Sequence, residues 1–444
     1  MHYQYLPVKA RMRWPLNKKR PTGFSKSLLR LLFVLLLISL SGCDSTERLA
    51  VIEGMSMAPH LYGVHSKLAC EDCGFEAVMR GDRPIENPIC PNCGAASPAE
   101  KLKSYPAPAV KVRALTKPPE RWNVYAFFVR QPNGEQRVTV KRLTGMPNEE
   151  LSISEGDLWV GGVRVVKSWD QQRQLAVLVR DFQFLPQEKS GYPVLPWQFS
   201  SEQKPWTINR EGIFFRPESS PDKLARIEYT NWAGYHSGQP RFAPLPVMNA
   251  LPFDPLEAGS LTPVHDLLLE AAIDSAACDF RLEWHLFTEP LTVEFLASQR
   301  KLVVRVGQSL VHSSPWTPPP RGSLLGCSTF DRCLTIALND QSLVQVPIPL
   351  TPSANRQQLS RPFALVGLDT ELALRSLRLY RDVHYYDRLG NAELESERRL
   401  YKLGANEYFF LGDNPADSID SRDWSSPGLR LKQIIGSVSG QATK

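Results

Sequence analysis

The chain places one serine and one lysine in surroundings that suit nucleophilic chemistry. Ser56 lies in Glu53-Gly54-Met55-Ser56-Met57-Ala58-Pro59-His60-Leu61, and Lys141 in Val138-Thr139-Val140-Lys141-Arg142-Leu143-Thr144-Gly145-Met146-Pro147. A serine hydroxyl is a weak nucleophile and must pass its proton to a nearby base as it attacks. Lysine is that base only when neutral, so its pKa has to fall from about 10.4 toward about 7–8. A fall of that size corresponds to roughly 3–4 kcal/mol, which burial in an apolar site supplies. Val138, Val140 and Leu143 around Lys141 are compatible with such burial. A third stretch, Gly412-Asp413-Asn414-Pro415-Ala416-Asp417-Ser418-Ile419-Asp420-Ser421-Arg422, gathers hydroxyls, carboxylates and an arginine near the C-terminus. Each stretch alone is ordinary, since serines precede many turns and most strand lysines are solvated.

Four cysteines form the sharpest spacing. Cys70-Glu71-Asp72-Cys73-Gly74 and Cys90-Pro91-Asn92-Cys93-Gly94 make a C-x2-C-x16-C-x2-C pattern, within the range of a four-thiolate structural zinc site. The glycine after each pair permits a tight turn that presents both sulfurs. Two disulfides are the competing reading, which an exported location allows. Four thiolates would leave a zinc ion no open position, so the metal is structural and catalysis needs no cofactor.

In this order, the serine, lysine and C-terminal stretches resemble the type I signal peptidases, which are Ser/Lys proteases. The family pattern runs roughly G-x-S-M-x-P-T-L, then K-R-x-x-G-x-P-G-D, then G-D-N-x-x-x-S-x-D-S-R. Arg121-Trp122-Asn123-Val124 looks like the family's strand that begins R-G-D-V, and Leu431–Gly436 like its last barrel strand. The resemblance covers residues 45–64, 104–168 and 396–444. It implies Ser56 as nucleophile and Lys141 as general base. It implies that Ser418 hydrogen-bonds the lysine amine, that Asp420 and Arg422 pair to hold the loops, and that the Ser56 N–H helps form the oxyanion hole. The substrates implied are exported preproteins, bound as an extended strand along the segment before Ser56, with small side chains in two shallow pockets. The chain departs from the pattern at four places. Gly54 stands where many relatives have a serine oxyanion donor. His60 replaces a threonine, Asn148-Glu149 replaces Gly-Asp, and Pro415 replaces a frequent arginine.

These residues must be brought together by the elements between them. The 444 residues suit two to three domains, and 42% apolar with 22% charged residues excludes a mainly disordered chain or a polytopic membrane protein. Net charge is +6, yet residues 1–30 hold eight Lys or Arg and no acid, leaving 44 basic against 46 acidic residues elsewhere. The body has no basic excess to meet phosphates, so nucleic-acid binding is not expected. That tail also argues against a self-cleaving Ser/Lys repressor, which would begin with a DNA-binding domain.

Residues 31–40 are strongly apolar, and the basic side of such a segment stays cytoplasmic. Three readings stand for residues 27–43: an uncleaved anchor, a lipoprotein signal ending at Leu40-Ser41-Gly42-Cys43 with Cys43 lipidated, or an ordinary secretory signal. The first two tether the body to the outer side of the inner membrane, against its lipid.

The expected fold is mainly β, because short Val-, Ile- and aromatic-rich runs recur between turn residues and 37 prolines disfavour long helices. The expected organisation is a basic cytoplasmic tail (1–26), a membrane segment (27–43), and a signal-peptidase-like catalytic β-barrel in three parts (44–64, 104–168, 396–444). A zinc ribbon (65–100) and a large insertion (169–395) interrupt it. The ribbon is expected near the substrate groove, with Arg80-Gly81-Asp82 as a turn. Alternation in Arg281–Leu286 and Leu302–Val306 reads as a two-sheet sandwich with nine or ten strands, and its core segments look like a concanavalin-like jelly roll. No calcium or sugar constellation is evident in it, and His265, His285 and His312 read as structural or surface residues. Cys327 and Cys333 could close a small disulfide loop, leaving Cys278 free. The insertion's ligand is open, so a non-catalytic extracytoplasmic scaffold that binds a glycan or a protein is the alternative function.

Overall fold

A computed structural model describes residues 47–52, 54–130, 136–187, 196–199, 205–217, 224–232, 244–251, 262–275, 278–387 and 399–441. The basic tail, the apolar segment and Cys43 lie outside them. Among the described residues no helix is long and apolar enough to cross a membrane.

The protein is mainly β. One seven-stranded sheet draws on three distant stretches, in the order Glu47–Val51, Ala109–Ala114, Ile434–Gln441, Val124–Arg130, Gln136–Gly145, Glu407–Leu411 and Leu429–Arg430. Gln136–Gly145 is the lysine strand. Its Lys141 lies opposite Tyr125, and its far edge pairs with Glu407–Leu411, which leads directly into the Gly412 stretch. A smaller sheet, Val163–Arg164, Asp157–Val160, Glu150–Ser154 and Tyr401–Lys402, again joins residues on both sides of the insertion. The insertion therefore leaves and returns at neighbouring points.

The insertion folds as two sheets of eight and seven strands, and the C-terminal strand of its core, Leu372–Arg381, pairs with Leu267–Ile273, Gly212–Phe215 and Val177–Asp181. The inner faces share one apolar core that includes Trp284, Phe295, Phe363 and Leu379, as inward positions of alternating strands require. Entry is marked by a seven-residue helix, Trp169–Leu175, with a capping box in which Ser168 and Gln171 satisfy each other's backbone N–H.

The Cys327–Cys333 disulfide does not form: both thiols are free, as is Cys278. Register explains this. Cys327 lies opposite Ile336 in an antiparallel pair, while Cys333 lies opposite Pro347 on the next strand. Burial raises Cys327 and Cys278 to about 12 and Cys333 to about 11, so all three behave as small apolar side chains.

Candidate active site

Ser56 sits in a turn closed by Ala58 N–H donating to the Met55 carbonyl (3.0 Å) and Leu61 N–H to that of Met57 (2.9 Å). Its neighbours face opposite ways. Met55 and Ala58 enter one apolar cluster, and Met57 and Leu61 enter another that contains Val138 and Val140 of the lysine strand. The serine is thus pinned between two cores, with its hydroxyl turned to the lysine amine. Gly54, two residues earlier, is buried and offers no side-chain donor.

Lys141 is 2% exposed, Ser56 is 6% exposed, and the lysine Nζ donates to Ser56 Oγ at 2.5 Å. Burial lowers Lys141 from its ordinary 10.5 to about 8, with Asp420, Asp413 and Asp417 opposing the fall and Arg422 assisting it. An amine near 8 is neutral in a useful fraction of molecules at physiological pH and remains basic enough to take a hydroxyl proton.

The third stretch wraps this pair. Ser418 Oγ donates to Asp420 Oδ2 (2.7 Å), and the fully buried Asp420 also accepts from Gly412 N–H (3.0 Å). Arg422 meets both Asp420 oxygens at 2.8 Å in a fork, which holds the Asp420 carboxyl below its ordinary range despite burial. With the Ser418 proton committed to Asp420, its lone pairs are what it can offer the lysine amine. The expected Asp420–Arg422 pair is present, and Arg422 also reaches the Tyr386 carbonyl at the end of the insertion (2.7 Å).

Several neighbours carry as much of the geometry as the named residues. At Gly412 a Cβ would come within 2.2 Å of Ser418 Oγ and 2.5 Å of the Ser56 carbonyl oxygen, so any side chain would push the two serines apart. Asn414 N–H donates to that same carbonyl (3.1 Å). Asp413 takes a fork from Arg142 (2.7 and 2.5 Å) and lies 2.9 Å from His60 Nδ1, and despite burial the Arg142 guanidinium holds its carboxyl well below the usual carboxylate range. At Asn148 and Glu149, two of the departures, the local geometry is well defined. Asn148 has φ +65°, a conformation glycine and asparagine enter most easily. Glu149 bonds Arg121 (2.5 Å) and Met146 N–H (2.7 Å). Gly412 and Asp413 were visible in the third motif. The roles of Arg142 and His60 depend on a contact 271 residues away along the chain for Arg142, which no local pattern signals.

The four cysteine sulfurs lie within 4.8 Å of one another and none is in a disulfide. Cys70–Cys93 and Cys73–Cys90 are 3.6 and 3.7 Å apart. A tetrahedral zinc with Zn–S of about 2.3 Å sets its sulfurs about 3.8 Å apart, so the donor set fits that ion. Two matching turns build the set. Gly74 and Gly94 both have φ +82°, and their N–H groups donate to the Cys70 and Cys90 carbonyls (2.9 and 2.8 Å). The ribbon docks on the insertion through Asn92, which donates to the Phe184 carbonyl (2.9 Å) and accepts from Asp181 N–H (2.7 Å). Its Arg80, expected in a turn, instead ends the strand Glu76–Arg80, where it pairs with Asp82 of the following bend (2.7 Å) and lies 3.8 Å from Asp417 of the third motif.

The outer face of the insertion's seven-stranded sheet carries an open cavity of about 600 Å³ lined by Arg226, Arg281, Arg305, Glu283, Glu294 and His285, among others. The carboxylates pair across strands with the guanidiniums, Arg281 to Glu294 at 2.7 Å and Arg226 to Glu283 at 3.0 Å. His285, expected to be structural or on the surface, lies at this cavity. His265 bonds the Ser353 carbonyl (3.0 Å).

No family model matches the chain, and no curated protein matches it. Solved structures similar to it include a carbohydrate-binding module from Bacillus subtilis (10% identical, TM-score 0.28, covering 42% of this chain and 96% of that one). Others are a galectin from Caenorhabditis elegans (12%, 0.20, covering 26% and 80%) and a beta-glucanase from Bacillus licheniformis (9%, 0.26, covering 43% and 94%). At these scores the side chains, and not the likeness, must carry a functional argument.

Proposed function

We propose that this chain is a serine endopeptidase of the type I signal peptidase class, tethered outside the inner membrane and cleaving signal peptides from exported preproteins. The observation that carries the reading is the buried 2.5 Å contact between Lys141 Nζ and Ser56 Oγ, with the lysine lowered to about 8. Neutral Lys141 takes the Ser56 proton as Oγ attacks the scissile carbonyl carbon. The Ser56 N–H donates to the developing oxyanion. Collapse breaks the C–N bond, and the lysine proton leaves with the amine. A water then hydrolyses the ester by the same base. Ser418, oriented by Asp420, steers the amine, and Asp420–Arg422 fixes the loop.

The edge position of Glu47–Val51, which pairs on one side with Ala109–Ala114, supports substrate binding as an added strand leading to Ser56. We propose further that Cys70, Cys73, Cys90 and Cys93 hold a structural zinc, which contributes folding energy to the ribbon and takes no part in bond cleavage.

The test is cleavage of a labelled preprotein in detergent. Wild type should cut after a small-x-small signal, and Ser56→Ala and Lys141→Ala should each lose activity by at least a thousandfold. Cleavage surviving in both variants would remove the assignment. A second reading, a scaffold whose sandwich binds a glycan or protein, is favoured by the polar cavity around Glu283 and Arg281. A folded, zinc-loaded wild type that cuts no member of a preprotein panel would move the function there.

A further inference from the structure

Trp122 has φ +73° and is 2% exposed. A bulky residue persists in the left-handed region only where its surroundings over-determine it. Here they do so from both ends. On the backbone, Trp122 N–H donates to the Leu143 carbonyl (2.7 Å), and its own carbonyl accepts from Arg142 Nη1 (2.5 Å). Arg142 and Leu143 are the two residues that follow Lys141 on its strand. On the side chain, the indole shares one apolar cluster with Met55 and Ala58, which bracket Ser56, and with Leu175, Val177 and Val383 of the insertion. One residue thus touches the supports of both members of the pair.

The indole is held in turn. The Lys167 ammonium lies 5.0 Å from its ring centroid. That ammonium is buried between Asp331 and Asp382 (2.8 Å to Asp382), and Lys167 N–H donates to Asp331 Oδ2 (2.8 Å). Both carboxylates belong to the insertion, and Lys167 precedes Ser168, the N-cap of its first helix. Asp331 and Arg332 are themselves left-handed, at φ +55° and +51°. Asp157, from the catalytic side, brings a third carboxylate within 4.8 Å.

We propose that Trp122 is a positioning residue for the Ser56–Lys141 pair, held in place by the Lys167–Asp331–Asp382 cluster at the junction with the sandwich. The proposal rests on the hydrolase reading above. Its physical content is dryness and aim. Removing the indole opens the space beside Met55 and the lysine strand to water, which lessens the desolvation that lowers Lys141. Asp413, Asp417 and Asp420, facing the amine from the third motif, then outweigh Arg422 and favour its protonated form.

The experiment uses the full chain with Trp122→Gly, whose backbone accepts the same φ, and Trp122→Phe as the conservative partner. Two readouts are taken: the pH profile of preprotein cleavage, and NMR titration of the Lys141 ε-carbon in lysine-labelled protein, assigned by its loss in Lys141→Arg. The glycine variant should move the acid limb and the Lys141 midpoint upward by about one pH unit. Its kcat near pH 7.5 should fall about tenfold with KM within twofold. Phenylalanine should restore most of both. A folded glycine variant with an unshifted Lys141 midpoint and kcat within twofold overturns the proposal. If that variant does not fold, Lys167→Met carries the same test with Lys167→Arg as rescue, and an unshifted midpoint there overturns it equally. If wild type shows no Ser56-dependent cleavage, the hydrolase reading fails, and the Lys141 titration alone decides the positioning role.

Discussion

Lys141 costs the fold stability in return for its chemistry. Its pKa falls from 10.5 to about 8, so the unfolded chain binds that proton more tightly than the native one. The difference amounts to about 3 kcal/mol, at roughly 1.4 kcal/mol per unit. For a group whose native pKa is depressed below its unfolded value and whose charged form is the acid, the penalty is full below pH 8 and fades as pH rises toward 10.5. Lys141→Met should therefore be inactive yet melt a few degrees higher at pH 7, with the gain shrinking toward pH 10; calorimetry at the two pH values checks it. An equal gain at both would mean that the lysine is not desolvated. Wild-type cleavage should rise with pH through about 8 for the same reason, since the neutral amine is the active form. The nearby glycine is as exacting. Gly412→Ala would place a methyl 2.2 Å from Ser418 Oγ, and a displacement of that order should lower kcat about a hundredfold with little change in KM, read from steady-state kinetics.

At the scale of elements, what was legible depended on how local the signal is. The alternation read in Arg281–Leu286 and Leu302–Val306 falls on the strands Asp279–Trp284 and Lys301–Val306. Ser323–Ser328 was hidden, because Gly326 reads as a breaker. The structure needs that glycine, since a Cβ there would meet the Trp169 ring at 2.2 Å. The ribbon strands His65–Ala69 and Glu76–Arg80 are short, and their burial patterns hold only two and three buried positions respectively, too few to stand out as a period. The clustering of the four cysteines was legible because the two turns that present them are local. The left-handed Trp122 was not, because the contacts that hold it come from Lys167 and from clusters assembled across the whole chain. The ribbon carries its own prediction. Purified protein should contain one zinc per chain by elemental analysis, and Cys90→Ser should lose it and expose the ribbon to protease. Cleavage should fall less than tenfold, because the ion pair between Arg80 and Asp417 of the third motif is long, at 3.8 Å. Full metal-free stability would return the four cysteines to an ordinary apolar cluster.

At the scale of the molecule, the question is whether the sandwich is a passenger or is coupled to the body that holds Ser56 and Lys141. Its main core, around Trp284, Phe363 and Leu379, is self-contained and large enough to fold on its own account. Its root is different. Leu175, Val177, Val383 and Tyr385 lie in the same apolar cluster as Met55, Ala58 and Phe409. Arg422 of the third motif bonds the Tyr386 carbonyl at 2.7 Å, and Lys167 is buried between two insertion carboxylates. Breaking this root would leave charges without partners in an apolar site, which costs several kcal/mol where one member of a buried pair is removed. The sheets that carry Lys141 and the third motif should therefore unfold together with the sandwich, as one calorimetric transition. Asp382→Asn, which weakens the root while leaving both cores intact, should split that transition or broaden it, with the Lys141 sheets melting first. Two separate transitions in wild type would make the junction a simple tether. The sandwich would then be free to bind its ligand without the Ser56–Lys141 pair registering the event, whereas a single transition means that whatever occupies the cavity of Glu283 and Arg281 stabilises the pair as well.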